Sequence, residues 1–498
     1  MSKKNKLLDE FGNINVSTKE TLASKPNESE VSESTGRHEN KLSLELVFNM
    51  LLTMYDFIEV NGQLYIYNET FGYWKLIPES NSNREIRRLI PSSFFSVVKK
   101  SGLEELYEWL LLEATHKDEN IFFKHTEYIN FKDCAVFAKT REKYKKDRKK
   151  LYFRYYLNID YPREESTGAF NAFIRDIYPD DKHSRRELSK LYGLTISDIR
   201  TLKYIAFFYG PSNTGKTISQ NVLEYIIGSD YTASLSFSQV SSEFAVTQLI
   251  NKRASLSGEV SGATTSRLDI LKSISGNDLI TACYKGKDHF QFRNRCLMIF
   301  ACNCFPKIND FLEVQSFLER AIFFPFVNVK DRKDWDPNLL DKLKEDAAGI
   351  IDFALEGLKA LEEDGYSFKE SKAMLECKKF FNGQFDSFSM FSNKYIESDK
   401  NSTLTSSEIS DMYRKYCDKN DYDVLSDNQW PQIIKRDFAC VSCTKTVETT
   451  LGKTRVRGYK GIRFKSSIVD FYDNLENIEP ITEIPEEYYN KGGIKYEE

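Results

Sequence analysis

The 498-residue chain lacks the features that would place it in a membrane, on a secretory route or around a structural metal. No apolar run approaches the ~20 residues needed to cross a bilayer. The N-terminus, MSKKNKLLDEFGN, has no apolar segment of the kind a leader peptide carries. The expectation is a cytoplasmic protein with no membrane partner. Nine cysteines are scattered along the chain, and Cys440 and Cys443 form its one C-x-x-C, with no second pair to complete a zinc site. The five histidines are equally dispersed. Reduced thiols fit this pattern better than disulfides. Positive charge is not in excess either, since the formal net charge is -4, and no internal repeat stands out.

The charge that is present is unevenly placed. Lys139–Lys150 and Gly452–Lys465 are strongly basic, whereas the C-terminal residues are acidic. A balanced total can therefore conceal a basic face toward DNA. For Lys139–Lys150 the two readings are a solvated loop and a DNA clamp, and the first is favoured. With 41% hydrophobic and 29% charged residues most of the chain should fold, into about three domains.

Residues 1–40 are polar with few apolar anchors and read as a disordered tail. Residues 43–58 have helical periodicity, and 62–77 alternate like a hairpin with an Asn-Glu-Thr turn. Residues 41–200 as a whole read as a mainly helical domain, interrupted by strand-like YINFKDCAVFA. From about 201 to 335 short apolar strands (KYIAFFYG, RCLMIFACN, RAIFFPF) alternate with helices, the pattern of an α/β core with a parallel sheet. Residues 338–365 read as a helical pair, within a helical lid at 336–384. In 385–470, TSSEISDMYRKYC opens with a capping box, Thr405 as N-cap and Glu408 three residues on. A second helix and two strands follow, the order of a winged helix. Residues 471–498 form an acidic tail.

Between the first core strand and its helix lies Gly210-Pro211-Ser212-Asn213-Thr214-Gly215-Lys216-Thr217, which fits G-x-x-x-x-G-K-[ST] completely. Such a loop turns backbone N–H groups inward around phosphate oxygens, with the dipole of the following helix behind them. Lys216 is expected on the β- and γ-phosphates of ATP and Thr217 on Mg²⁺. Hydrolysis needs an acid at the end of a neighbouring strand, for which Glu259 is the candidate, also as a metal ligand. Asn303, ending another strand, is placed for the γ-phosphate or the attacking water. Arg320 is a candidate arginine finger acting across a subunit boundary.

GPSNTGKT, GEV, LKSISGNDLITACYKGKDHFQF, FACN and LERAIFFPF, in this order, resemble superfamily 3 helicases. These are AAA+ hexameric enzymes of viruses, phages, plasmids and genomic islands, and the branch is similar to the primase-helicases of satellite phages and poxviruses. The resemblance spans Glu45 to Phe464, including a helical region before the ATPase and a C-terminal helical lid. It implies Lys216 and Thr217 in Walker A, Glu259 in Walker B, Asn303 as sensor 1 and Arg320 as the trans-acting finger. Gly258 stands where another acid often would. The resemblance also implies that the hairpin Ile280–Phe292, with Lys285 and Lys287 at its tip and His289 beside it, grips single-stranded DNA in the pore of a homo-hexamer. On the winged helix the candidate DNA contacts are Gln429, Gln432, Lys435 and Arg436 on the second helix. Arg455, Arg457, Lys460 and Arg463 join them on the wing, toward an origin or fork duplex. The 40-residue tail leaves no room for the primase fold many relatives carry, so a separate primase or host replication proteins are the expected partners. The function implied is ATP-driven unwinding for replication of a mobile element, with or without a role in initiation. A different class remains open: an ATP-switched DNA-binding regulator or packaging-type ATPase that does not unwind processively.

Overall fold

The computed structural model describes residues 44–468, apart from 97, 201–202, 260–263, 266–267, 277, 287, 304–306, 309–313, 386 and 450–451. The two tails expected from the sequence, and Lys287, lie outside the described residues. Contacts divide the chain into two units, Met1–Tyr161 and Pro162–Glu498.

In the first unit a helix α1 (44–54) is followed by β1 (Phe57–Val60), β2 (Gln63–Asn68) and β3 (Tyr73–Ile77). The chain leaves the helix at Tyr55, earlier than the periodicity suggests, because Asn61 and Gly62 form a tight turn. Both have positive φ, 51° and 73°, and they pair Val60 with Gln63. That is the primed-turn geometry whose twist matches a hairpin. Helices α2 (Ser82–Leu89) and α3 (Lys100–Glu113) cover one face, β4 (Thr115–His116) completes the sheet order β3-β2-β1-β4, and β5 (Tyr128–Asn130) pairs with β6 (Ala135–Phe137). The region expected to be mainly helical thus also carries six short strands.

Part of the basic run turns inward here. The Arg148 guanidinium donates to the carbonyls of Thr70, Phe71, Phe131 and Lys132 and to Asn130 Oδ1, at 3.0–3.4 Å. Lys149 pairs with Asp56 at 2.5 Å and Lys143 with Asp133 at 3.5 Å. Arg148→Ala should destabilise this unit by about 3 kcal/mol, since a charged donor and several carbonyl partners are lost together. Urea unfolding followed by tryptophan fluorescence, to which Trp74 and Trp109 of this unit contribute, measures it, and an unchanged midpoint would mean that Arg148 is ordinary surface charge.

The second unit begins with α4 (Ala169–Ile177) and α5 (Lys182–Ile196). Then come β7 (Ile205–Tyr209), α6 (Lys216–Ile227), β8 (Thr232–Ala233), β9 (Ala254–Glu259), β10 (Thr264–Thr265), α7 (Leu268–Gly276), β11 (Leu279–Cys283) and β12 (His289–Arg293). After these follow β13 (Leu297–Cys302), β14 (Lys307–Ile308), α8 (Val314–Leu318), β15 (Ala321–Pro325), α9 (Leu339–Glu345), α10 (Ala347–Glu363) and α11 (Lys372–Phe385). Five strands form a parallel sheet in the order β15-β7-β13-β9-β8. β7, β13 and β15 are continuous apolar runs, as strands covered on both faces require, whereas β9 carries Ser255 and Ser257. Phe207 stacks on Phe300 at 5.4 Å and on Phe323 at 5.1 Å, one aromatic from each of three adjacent strands.

Residues 162–200 belong to this unit, so the boundary expected near 200 falls at Tyr161. Packing explains the shift. Gly193 and Gly357 let α5 and α10 approach backbone to backbone, so that a Cβ on Gly357 would lie 1.8 Å from the Ser189 carbonyl oxygen. Between the same helices Lys190 Nζ, fully buried, meets Glu187 at 2.8 Å and Asp364 at 2.6 Å. Hydrogen bonds from Arg186, then Lys190 and Lys369, hold the Asp364 carboxyl well below the usual carboxylate range. The buried Asp346 carboxylate caps two helix starts at once. It accepts Gly349 N of α10 at 3.2 Å, and Thr167 N at 3.0 Å and Phe170 N at 2.8 Å at the start of α4.

The C-terminal part comprises α12 (Ser387–Tyr395), β16 (Ile396–Thr405), α13 (Ser406–Asn420), α14 (Trp430–Asp437), β17 (Val441–Thr449) and β18 (Gly452–Phe464). The strands form an antiparallel sheet, β16-β18-β17, around a core of Phe388, Phe391, Tyr413, Trp430, Ile433 and Ile462. The capping box is present: Glu408 N donates to Thr405 Oγ1 at 3.2 Å and Thr405 N to Glu408 Oε2 at 2.7 Å.

Candidate functional site

The carboxyl ends of β7, β13, β9 and β15 face one edge of the parallel sheet, and the loop Gly210–Gly215 runs along it. Gly210 has φ 151°, and a Cβ there would come 1.9 Å from the Phe326 carbonyl oxygen. Only glycine lets the loop start this close to the end of β15. Gly210 N donates to the Cys302 carbonyl at 3.1 Å, and Lys330 N to the Asn213 carbonyl at 3.1 Å. Thr214 Oγ1 closes the turn onto the Pro211 carbonyl at 3.0 Å.

Gly215, at φ 93°, is the N-cap of α6 and provides no side-chain cap. The first N–H groups of α6 are therefore offered to whatever enters the loop. The Lys216 ammonium is buried in that loop, 2.6 Å from both the Gly210 and the Pro211 carbonyl oxygens. A glycine-lined cradle, an uncapped helix start and a buried cation together fit the phosphates of a nucleotide. Thr217 is exposed in the first turn of α6.

Asn303, directly after β13, donates through Nδ2 to Ser212 Oγ at 3.3 Å, so this candidate is brought onto the loop. Glu259 ends β9, where the register shifts: Phe300 pairs with Ser257 and Ala301 with Glu259, leaving Gly258 as a bulge residue. A bulge re-aims the residues after it. The side chain of Glu259 lies outside the described part. Gln220, which sequence reading missed, joins the helix to the sheet by donating to the Ser257 carbonyl at 2.9 Å and the Ile299 carbonyl at 3.4 Å.

Arg320 is not brought to the loop. It precedes β15, and its carbonyl accepts Ile205 N at 2.8 Å, which puts it at the amino edge of the sheet. The five residues of β7 separate that edge from Gly210, roughly 16 Å at the usual strand rise. Its guanidinium instead donates to the Lys272 carbonyl and to Ser275 Oγ.

β11 and β12 form the expected hairpin, with Cys283 opposite His289 and Leu279 opposite Arg293. Lys285 is exposed at the tip beside Gly286, φ 77°. His289 Nε2 lies 3.0 Å from Glu243 Oε2, and Tyr284 stacks on Phe290 at 5.1 Å. Gln291 and Arg293 share the exposed face with His289. The period-2 alternation His-Phe-Gln-Phe-Arg carries that information, so Arg293 was findable in the sequence.

On the C-terminal sheet Lys435, Arg455, Arg457 and Lys460 are exposed. Arg455 and Arg457 are two apart on β18, opposite Thr446 and Thr444. Other candidates are engaged within the chain. Gln429 Oε1 accepts from Ser426 N at 3.0 Å, Arg436 bonds Asp437 at 2.6 Å and Ser389 at 2.9 Å, and Arg463 pairs with Glu397 at 2.7 Å. Cys440 and Cys443 are free thiols. Among the described residues no His/Cys/Asp/Glu cluster is built to hold a metal, and no helix is long and apolar enough to cross a membrane.

Residues 208–313, from the end of β7 past Asn303, match a family of unknown function, DUF5906. The chain is 24% identical over 315 residues to the protein named "Putative helicase 022R" of Frog virus 3 (isolate Goorha). The matched part is 58% of this chain but 31% of that protein, so the chain spans about a third of its viral relative. The chain is also similar to two apo structures of the NrS-1 C-terminal region, at 13% identity. One has a TM-score of 0.48 over 83% of this chain and 98% of the other, and the second 0.45 over 84% and 99%.

Proposed function

We propose that the chain is an ATP-driven DNA helicase motor of the AAA+ superfamily 3 type, working as a ring of like subunits on single-stranded DNA. The observation that carries this reading is the separation within one protomer. Lys216 and Asn303 meet on the phosphate loop at one edge of the sheet, while Arg320 stands at the other. A cation so placed cannot serve its own loop, but it can serve that of a neighbour, and this makes the hexamer part of the proposal. The distant viral relative with a helicase name supports the same reading.

ATP with Mg²⁺ would supply the phosphoanhydride whose cleavage drives the cycle. The backbone N–H groups after Gly215 would hold its phosphates, Lys216 would neutralise charge on them, and Thr217 with Glu259 would hold the metal. Asn303 would orient the attacking water, and Glu259 would take its proton. The β11–β12 hairpin would grip the strand through Lys285, Lys287 and His289, with Arg293 on the same face as His289. The C-terminal helices and sheet, read as a winged helix, would hold duplex at the fork or origin through Lys435, Arg436, Arg455 and Arg457, although the intrachain bonds of Arg436 make it the weakest of these.

A forked-duplex assay tests the reading. The double variant Lys285→Ala/Lys287→Ala should lose strand displacement and bind single-stranded DNA with a shallower salt dependence, because two phosphate contacts are gone. Displacement at the wild-type rate would favour the other class, a nucleotide-switched DNA-binding regulator that needs no gripping tip.

A further inference from the structure

Arg320 and Asn294 converge on one target, the carboxyl end of α7. Arg320 Nη1 donates to the Lys272 carbonyl and, at 3.3 Å, to Ser275 Oγ. Asn294, buried, donates through Nδ2 to the Ile274 carbonyl at 3.0 Å and accepts Cys296 N on Oδ1 at 3.1 Å. The Ile274 carbonyl is among the last of the helix, which have no helical N–H to bind, while the Lys272 carbonyl also accepts Ser275 Oγ at 3.1 Å; the dipole makes this end attractive to a cation. A Cβ on Gly276 would come 3.1 Å from Arg320 Nη1, so the guanidinium packs closely against the last turn. Lys272 Nζ adds a second tie, to Ser316 Oγ of α8 at 3.1 Å.

This helix end is also the root of the hairpin. α7 closes at Gly276 and β11 opens at Leu279, while β12 closes at Arg293, immediately before Asn294. The backbone of Arg320, meanwhile, is stitched to Ile205, the first residue of the strand that leads into the phosphate loop. One side chain therefore joins the central sheet to the base of the hairpin.

We propose that Arg320 positions the hairpin by alternating between two partners: the end of α7 in its own protomer and the phosphates of a nucleotide held by the adjoining one. The second partner rests on the helicase reading above; the first does not. A helix end carries about half a unit of negative charge, whereas a triphosphate carries several, so a nucleotide at the junction draws the guanidinium away. The hairpin root then loses its clamp and is free to shift. After phosphate leaves, Arg320 returns and fixes the root again. Arg320 thus relays the state of one active site to the DNA-gripping element of its own protomer.

Hydrogen exchange of the full chain, read by mass spectrometry, tests both halves. Without nucleotide, Arg320→Ala should raise exchange in segments 273–283 and 289–296 about tenfold, the effect of losing one net hydrogen bond. Arg320→Lys keeps a cation at the helix end and should restore most of the protection, yet leave hydrolysis impaired, because one ammonium does not replace the planar fork. Should Arg320→Ala fail to fold, Ser275→Ala removes one acceptor and should give a smaller rise in the same segments. Unchanged exchange in these variants would overturn the clamp. Adding a non-hydrolysable ATP analogue and an oligonucleotide to the wild type should raise exchange at the root but not in Arg320→Ala. A hexamer with analogue bound and an unchanged root would overturn the relay. If the wild type neither assembles nor hydrolyses ATP, the helicase reading and the relay fail together, while the nucleotide-free comparison still decides the clamp.

Discussion

Lys216→Ala should reduce ATP hydrolysis by about two to three orders of magnitude, the usual cost of removing one preorganised group from developing phosphate charge. The ammonium is buried within the loop, held 2.6 Å from two loop carbonyls, with Thr214 Oγ1 a further 3.5 Å neighbour. The loop donors alone would still bind nucleotide, more weakly. A coupled phosphate-release assay at saturating ATP measures the effect, with circular dichroism to show that the fold is retained. Hydrolysis within a factor of two of wild type would mean that this loop is not the catalytic centre.

The largest stability effect is expected from Gly357→Ala. The added methyl would meet three backbone atoms: the Ser189 carbonyl oxygen at 1.8 Å, its carbon at 2.1 Å and Lys190 N at 2.7 Å. Backbone cannot rotate aside as a side chain can, so α5 and α10 must separate. Separation also pulls on the buried Lys190–Glu187–Asp364 cluster, whose charges depend on close contact. The cost should be about 3 kcal/mol or more, in the upper range for overpacking. Differential scanning calorimetry should register a clear fall in the unfolding temperature of the second unit. An unchanged transition would show that the two helices have room to spare.

Local chemistry made much of this molecule readable from its residues. The capping box at Thr405 and Glu408 is a reciprocal bond between neighbours in sequence, and it forms as expected. The three apolar strands around Phe207, Phe300 and Phe323 are legible because a sheet buried on both faces needs an unbroken apolar run. The Asn61-Gly62 turn is masked in the sequence by the apolar periodicity before it, which continues smoothly into β1. What could not be read is set by partners distant in sequence. The glycines that join α5 to α10 look ordinary until the other helix is present. Arg148, one cation in a basic run, becomes an anchor through the carbonyls of Thr70, Phe71, Phe131 and Lys132. Arg320 finds a carbonyl and a hydroxyl on α7, more than forty residues away. Neither pattern nor propensity specifies a backbone carbonyl as a partner.

The shared capping by Asp346 has a mechanical consequence. Since one carboxylate holds the starts of both α4 and α10, and α10 is locked to α5, α10 cannot swing as an independent flap. Any rotation of α10 must carry α4 and α5 along as a single lever. Phe173 and Ile177 of α4 lie within 3.6 Å of where a Cβ on Gly215 would be. The α4 arm of that lever thus rests against the Gly210–Gly215 loop, so a displacement of the loop is passed on to α10.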